Sequence, residues 1–206
     1  MQTLKKLQLF LENIDSYRDK ALFVFINPYW PRKITPNHIT YIRVLIGIIL
    51  IIILFFFRID GKSTILSLFI IGLVTDLIDG PIARGIGKVT EFGAMLDSAS
   101  DRLLIMPIAI YSLLQYQKWL LFVLILTEIL NGIFSLYYSS KEAYLKSNIF
   151  GKIKMVIISA GFLGILFVWP NPLPLFFIYL LWISIPFSIL SILSKSTELK
   201  RPRTIK

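Results

Sequence analysis

Six apolar runs, each about the length of one membrane crossing, follow one another with only short polar breaks between them. They fall at about 38–57, 63–84, 93–114, 118–138, 152–169 and 174–194. A segment crossing hydrocarbon must satisfy all its backbone polar groups internally, so runs of this length form helices. A mean hydropathy of +0.74 and 56% hydrophobic residues place the chain outside soluble composition. The fold class expected is an all-α integral membrane protein, a six-transmembrane-helix bundle. Pro186 lies inside the last run and can kink it. No cysteine is present, which excludes disulfides and thiolate metal sites.

Ahead of the first run, Leu4, Leu7, Leu11 and Ile14 recur at helical spacing, with Lys5, Lys6, Glu12 and Asp15 between them. This pattern predicts an amphipathic helix lying on the membrane surface. It lacks the continuous apolar core and small-residue site of a cleavable signal peptide. Leu22 to Ile26 is too short to cross, and Asn27-Pro28-Tyr29-Trp30-Pro31 breaks helix and supplies interfacial aromatics. The organisation expected is a juxtamembrane segment at 1–33, one six-helix domain at 34–194 and a basic tail at 195–206.

The formal net charge is +10. The basic residues flank the apolar runs, so their partners are membrane lipids, with no nucleic acid expected. On the side of the two termini lie seventeen Lys and Arg residues, against three (Arg58, Lys62 and Lys118) on the other. The positive-inside rule puts both termini in the cytoplasm of a multi-pass protein, in the cell membrane if the source is bacterial.

Against this apolar background stand four acids: Asp76, Asp79, Asp97 and Asp101. A carboxylate in or near hydrocarbon costs several kcal/mol, so the cluster needs a compensating cation. At about 100° per residue, Asp79, Gly80, Ala83 and Arg84 all fall within about 80° of Asp76 on one helix. Gly93, Asp97 and Asp101 share one face of the next. Turned toward each other across a short cytoplasmic loop, the two faces would make a four-carboxylate pocket with a smooth floor. Oxygen ligands without His or Cys favour two divalent cations, Mg²⁺ or Mn²⁺, and such a pair suits phosphoryl chemistry. Small residues admit close approach of a ligand, and Arg84 can grip a phosphate. The same acids also fit an ion-coupled membrane transporter, or buried ion pairs that only hold helices together.

The spacing Asp-x2-Asp-Gly-x2-Ala-Arg-x8-Gly-x3-Asp-x3-Asp is complete from Asp76 to Asp101. It resembles the signature of the CDP-alcohol phosphatidyltransferase family at all eight fixed positions, a chance event on the order of 10⁻⁸ at ordinary residue usage. Pro36, Asn37, Thr40 and Arg43 resemble the family's Pro-Asn-x-x-Thr-x-x-Arg at the first span. The resemblance implies a homodimeric six-helix enzyme whose site opens to the cytoplasm. It also implies transfer of a phosphatidyl group from CDP-diacylglycerol, or a related CDP-lipid, to an alcohol with release of CMP. Asp76, Asp79, Asp97 and Asp101 would then bind two metal ions, and Asp101 would act as general base. Gly80, Ala83 and Gly93 would make room for the cytidine, Arg84 would touch the diphosphate, and Asn37 and Thr40 would support the nucleotide end. His38, the only histidine, is read as structural.

For the acceptor, Gly151-Lys152-Ile153-Lys154 resembles a segment of the phosphatidylglycerophosphate synthase branch. Lys152 and Lys154 would bind the phosphate of glycerol 3-phosphate, although topology alone also accounts for them. Glu128 stands where that branch has the glutamate of an Arg-Glu pair, but Thr127 replaces the arginine. Ser98 and Arg102, beside the third and fourth acids, resemble phosphatidylinositol-phosphate synthases instead. A cardiolipin synthase of the same family is a further alternative. Lys141 and Lys146 are candidate extra phosphate contacts.

Overall fold

A computed structural model describes residues 2–31, 34–57, 61–139 and 149–198. Lys141 and Lys146, and the basic tail beyond Glu198, lie outside the described residues. The described residues are mostly helical, with no strand among them. In chain order the helices are α1 (Gln2–Ile26), α2 (Pro36–Ile51), α3 (Lys62–Gly85), α4 (Glu91–Leu113), α5 (Lys118–Ser139), α6 (Ile149–Val168) and α7 (Leu175–Glu198). A π-helical stretch, Ile52–Phe57, continues α2. The six helices after α1 sit on the six apolar runs, within a few residues at each end.

Five of them are long and apolar enough to cross a membrane: α2 with its π extension, α3, α5, α6 and α7. The fold is that of an all-α integral membrane protein. α4 is as long as the others but carries Asp97, Asp101 and Arg102 within its apolar stretch. Large apolar side chains on α2 stay exposed in the isolated chain, among them Leu45, Ile48 and Ile49. In a membrane protein, hydrocarbon rather than water meets such a face.

The backbone divides into two compact units, Met1–Ser112 with Phe162–Leu173, and Leu113–Gly161 with Pro174–Lys206. In the first, α2 starts where Thr35 and His38 cap each other. The Thr35 N–H donates to His38 Nδ1 at 3.0 Å, and the His38 N–H to the Thr35 carbonyl at 3.0 Å. Pro36 occupies the first helical turn, where its missing N–H costs nothing. His38 therefore serves as a cap.

The link between α3 and α4 is set just as locally. Gly87 takes a left-handed φ of 68°, a conformation open to glycine, and Lys88 N–H returns to the Ala83 carbonyl at 3.0 Å. Thr90 then caps α4 by accepting the Gly93 N–H at 3.0 Å. α3 ends just beyond Arg84 and α4 begins just before Gly93, so the two acid-bearing helices meet through a tight turn.

Small residues let α4 pack tightly on its neighbours. A β-carbon on Gly47 of α2 would stand 2.8 Å from the Leu103 carbonyl oxygen, and one on Gly72 of α3 would meet the Leu104 methyls. Close backbone approach through glycine is how helices associate where no water drives them together. Leu50, Phe69, Ile82, Leu104 and Ile108 of these three helices are buried.

The second unit has its own polar core. Asn131 of α5 donates to Ser188 Oγ of α7 at 2.6 Å, and Lys154 of α6 meets Glu128 of α5 at 2.5 Å. Gly161 lies against Leu181, and α7 runs through Pro186.

Candidate active site

The first unit gathers the four acids around one cation. Arg43 of α2 has a fully buried side chain, and its guanidinium touches every one of them. Its Nη1 lies 3.2 Å from Asp76, 2.8 Å from Asp97 and 2.7 Å from Asp101. Its Nη2 lies 2.5 Å from Asp79 Oδ2. Two hydroxyls complete the shell: Ser100 accepts from Nη1 at 3.1 Å, and Thr75 from Nε at 3.5 Å.

Helix phase explains why these groups meet. The buried stripe of α2 reads Pro36, Thr40, Arg43, Ile46, Gly47 and Leu50, a helical period aimed at α3 and α4. Asp76 and Asp79 are one turn apart on α3, as are Asp97 and Asp101 on α4. The glycine contacts bring all three helices within reach of one arginine.

The acids are not equivalent. Asp79 is buried and also accepts a hydrogen bond from the Thr40 hydroxyl at 3.2 Å. The side chains of Asp76 and Asp97 are 43% and 44% exposed, and that of Asp101 19%. Ligand atoms of Asp76, Asp97 and Asp101 lie within 4.8 Å of one another, close enough to share a metal ion. An all-oxygen carboxylate set at this spacing fits a hard divalent cation. Asp79 belongs to the cluster through Arg43 and stands outside that compact triad.

The other candidates fall around this centre. Asn37 stands beside Gly93: its side-chain oxygen would be 3.0 Å from a β-carbon there. Thr40 is tied to Asp79. Gly80 faces Arg84, whose Nη2 would lie 2.9 Å from an added β-carbon. Ala83 is half-buried on the same helix. Arg84 itself is held by Asp19 of α1, Nε to Oδ2 at 2.7 Å, and Phe23 of α1 packs over Gly85. Asp19 is buried and also pairs with Arg18 at 2.9 Å.

Lys152 and Lys154 belong to the second unit. Lys152 is half-buried, whereas Lys154 is 5% exposed and committed to Glu128. The glutamate noted in the sequence thus has a lysine for its partner where an arginine was missing.

Arg43 and Asp19 were absent from the site expected on sequence. Arg43 carried a signal, a lone guanidinium inside an apolar run three residues beyond Thr40. Asp19 had none beyond its charge.

Fold and site together define a class: a helical integral membrane protein with a carboxylate cluster fitted to hard divalent cations. The comparisons narrow it. Residues 33–190 match the CDP-alcohol phosphatidyltransferase domain. A CDP-diacylglycerol--glycerol-3-phosphate 3-phosphatidyltransferase of Bacillus subtilis is 35% identical over 134 residues, 58% of this chain and 69% of that protein. One of the same name from Rickettsia typhi is 33% identical over 73 residues, 35% of this chain and 41% of its own length. An archaetidylinositol phosphate synthase of Pyrococcus horikoshii is 37% identical over 70 residues, 34% of this chain and 36% of that protein. The chain spans under half the length of the Rickettsia and Pyrococcus relatives. No solved structure matches it. The protein belongs to the CDP-alcohol phosphatidyltransferase family.

Proposed function

We propose that the protein transfers a phosphatidyl group from CDP-diacylglycerol, or a related CDP-lipid, to the hydroxyl of a phosphorylated alcohol, with glycerol 3-phosphate as acceptor. The observation that carries this reading is the convergence of Asp76, Asp97 and Asp101 within 4.8 Å, inside the family's complete motif. The names of the Bacillus and Rickettsia relatives, together with Gly151-Lys152-Ile153-Lys154, support the choice of acceptor.

In this proposal Asp76, Asp79, Asp97 and Asp101 hold two divalent cations, Mg²⁺ or Mn²⁺. Bound there, the ions would neutralise the diphosphate and stabilise charge at the reacting phosphorus. Asp101 takes the proton of the acceptor hydroxyl as its oxygen attacks the lipid-side phosphorus. A new P–O bond forms, the bond to the CMP oxygen breaks, and CMP leaves with that electron pair. The small surfaces of Gly80, Ala83 and Gly93 admit the cytidine, with Asn37 beside Gly93 and Thr40 steadying Asp79. Arg84 takes the diphosphate, and Lys152 is assigned to the acceptor's own phosphate, while Lys154, buried against Glu128, holds the helix that carries Lys152.

The finer architecture follows the same reading. α4 is also a crossing, the third of six, because its acids line the cluster and its remaining length is apolar. α1 lies along the interface as a juxtamembrane segment of residues 1–33, ahead of the catalytic domain at 34–194 and the tail at 195–206. The lysine and arginine asymmetry supports a cytoplasmic location for both termini and the active site, and the resemblance to the family supports a homodimeric assembly.

The test is CMP release by the purified protein with CDP-diacylglycerol, Mn²⁺ and single acceptors. Glycerol 3-phosphate is expected to support turnover, chelation to stop it, and Asp101→Asn to lower kcat by about 10²–10⁴ while donor binding persists. Turnover only with inositol 1-phosphate would move the protein to the reading favoured by Ser98, Arg102 and the Pyrococcus relative. Turnover only with phosphatidylglycerol would make it a cardiolipin synthase. No CMP from any acceptor, with ion-driven flux in sealed vesicles, would replace the enzyme with a transporter.

A further inference from the structure

We propose that Arg43 is a resident cation of the aspartate cluster that must withdraw when a divalent ion binds. It keeps the metal-free cluster assembled and thereby sets the affinity for the ion. This inference rests on the metal-binding reading above.

The geometry is specific. Nη1 of Arg43 is shared by Asp76, Asp97 and Asp101, the same three residues whose ligand atoms converge for a metal ion. A guanidinium nitrogen and a divalent cation cannot both sit among those carboxylates without strong like-charge repulsion. A guanidinium does not shed its proton in a protein, so the conflict is relieved by movement.

The rest of the side chain is arranged for such a movement. Nη2 is held separately, on Oδ2 of Asp79, the oxygen that also receives the Thr40 hydroxyl, so Oδ1 is the atom Asp79 would offer an ion. Ser100 and Thr75 offer hydroxyl oxygens at 3.1 and 3.5 Å, neutral acceptors for N–H groups released by the carboxylates. Arg43 can therefore pivot on Asp79 and leave the triad without becoming an unpaired buried charge. In the absence of metal, its positive charge offsets the mutual repulsion of four acids. Arg43 is a positioning residue, acting on the metal ligands rather than on the substrate.

The opposite role would be permanent support, in which the guanidinium stays on the ligands and preorganises them. The two roles differ in sign. Removing a competitor tightens metal binding, whereas removing a support weakens it.

The experiment measures Mn²⁺ affinity by electron paramagnetic resonance for the full chain in detergent, comparing wild type, Arg43→Gln and Arg43→Lys. Thermal melting in EDTA and in saturating Mn²⁺ accompanies it. Arg43→Gln is expected to bind Mn²⁺ about tenfold more tightly, the gain when a state occupied about nine-tenths of the time is removed. It is also expected to melt lower than wild type in EDTA and to gain more from Mn²⁺. Arg43→Lys is expected between the two. Unchanged or weaker Mn²⁺ affinity in both variants overturns the proposal and leaves the metal site standing. A wild type that binds no Mn²⁺ overturns both. Should the variants fail to fold, a wild-type structure with Mn²⁺ decides. Nη1 is expected beyond hydrogen-bond distance of Asp97 and Asp101, and its retention on both with ions bound overturns the inference.

Discussion

Asp79 makes the shortest ion pair in the cluster, its Oδ2 lying 2.5 Å from Nη2 of the fully buried Arg43. Its oxygen also receives the Thr40 hydroxyl, so this acid links α3 to α2. Asp76, one turn earlier, meets the same arginine at 3.2 Å with 43% of its side chain exposed. Two acids of one motif therefore carry different loads. Asp79→Asn should lower the melting temperature of the metal-free protein more than Asp76→Asn. Removing a partner from a buried ion is strongly destabilising, whereas an exposed pair contributes about 0–1 kcal/mol. Thermal unfolding in EDTA checks this, and equal shifts would contradict it.

The two glycine contacts predict opposite kinds of failure. At Gly47 an added methyl meets the Leu103 backbone, which cannot step aside, so Gly47→Ala should separate α2 from α4. The expected loss is about 1–3 kcal/mol, with the cluster disturbed secondarily. At Gly80 the methyl meets the flexible end of Arg84. Gly80→Ala should therefore fold normally and raise KM for the CDP-lipid. Melting curves and donor kinetics, taken together, separate the two.

Arg84 is tied to Asp19 at 2.7 Å, although the proposed chemistry assigns it to a diphosphate. Binding the donor then requires this ion pair to yield to phosphate oxygens. Asp19→Asn should lower KM for the CDP-lipid and Arg84→Ala should raise it, with small effects on kcat. Shifts of the same sign would mean that Asp19 aims Arg84 rather than competes for it.

Glu128 and Lys154 form a buried pair inside the second unit. Lys154→Met should cost about 3–5 kcal/mol, because it removes the lysine from a buried ion pair with Glu128. Adding Glu128→Gln should restore much of that loss, a coupling that a double-mutant cycle measures. Lys152→Ala should leave the melting temperature near wild type and raise KM for glycerol 3-phosphate. If Lys154→Met were as stable as wild type, the pair would hold nothing together.

The helix intervals were legible before any coordinates because length and hydropathy alone dictate a crossing. The run expected at 63–84 is the helix Lys62–Gly85, and that at 93–114 is Glu91–Leu113. Within one helix, relative orientation is a matter of phase, so Asp76 with Asp79, and Asp97 with Asp101, could be placed on shared faces from spacing. Even the break between them was readable, although the cap at Thr90 and the left-handed turn at Gly87 appear only in the backbone.

Contacts between helices had no such local code. Arg43 is 33 residues from Asp76 and 58 from Asp101, and nothing in either neighbourhood names the other. Its insertion among the acids depends on how closely α2 approaches α4 at Gly47, a matter of packing that periodicity does not express. The same holds for Asp19 with Arg84 and for Glu128 with Lys154. Sequence alone determined where the chain crosses the membrane and which acids share a helix face, because both depend on neighbours along one helix. Tertiary structure alone decided which cation answers those acids, because in an apolar bundle a buried charge takes whichever partner the packing brings within hydrogen-bond reach.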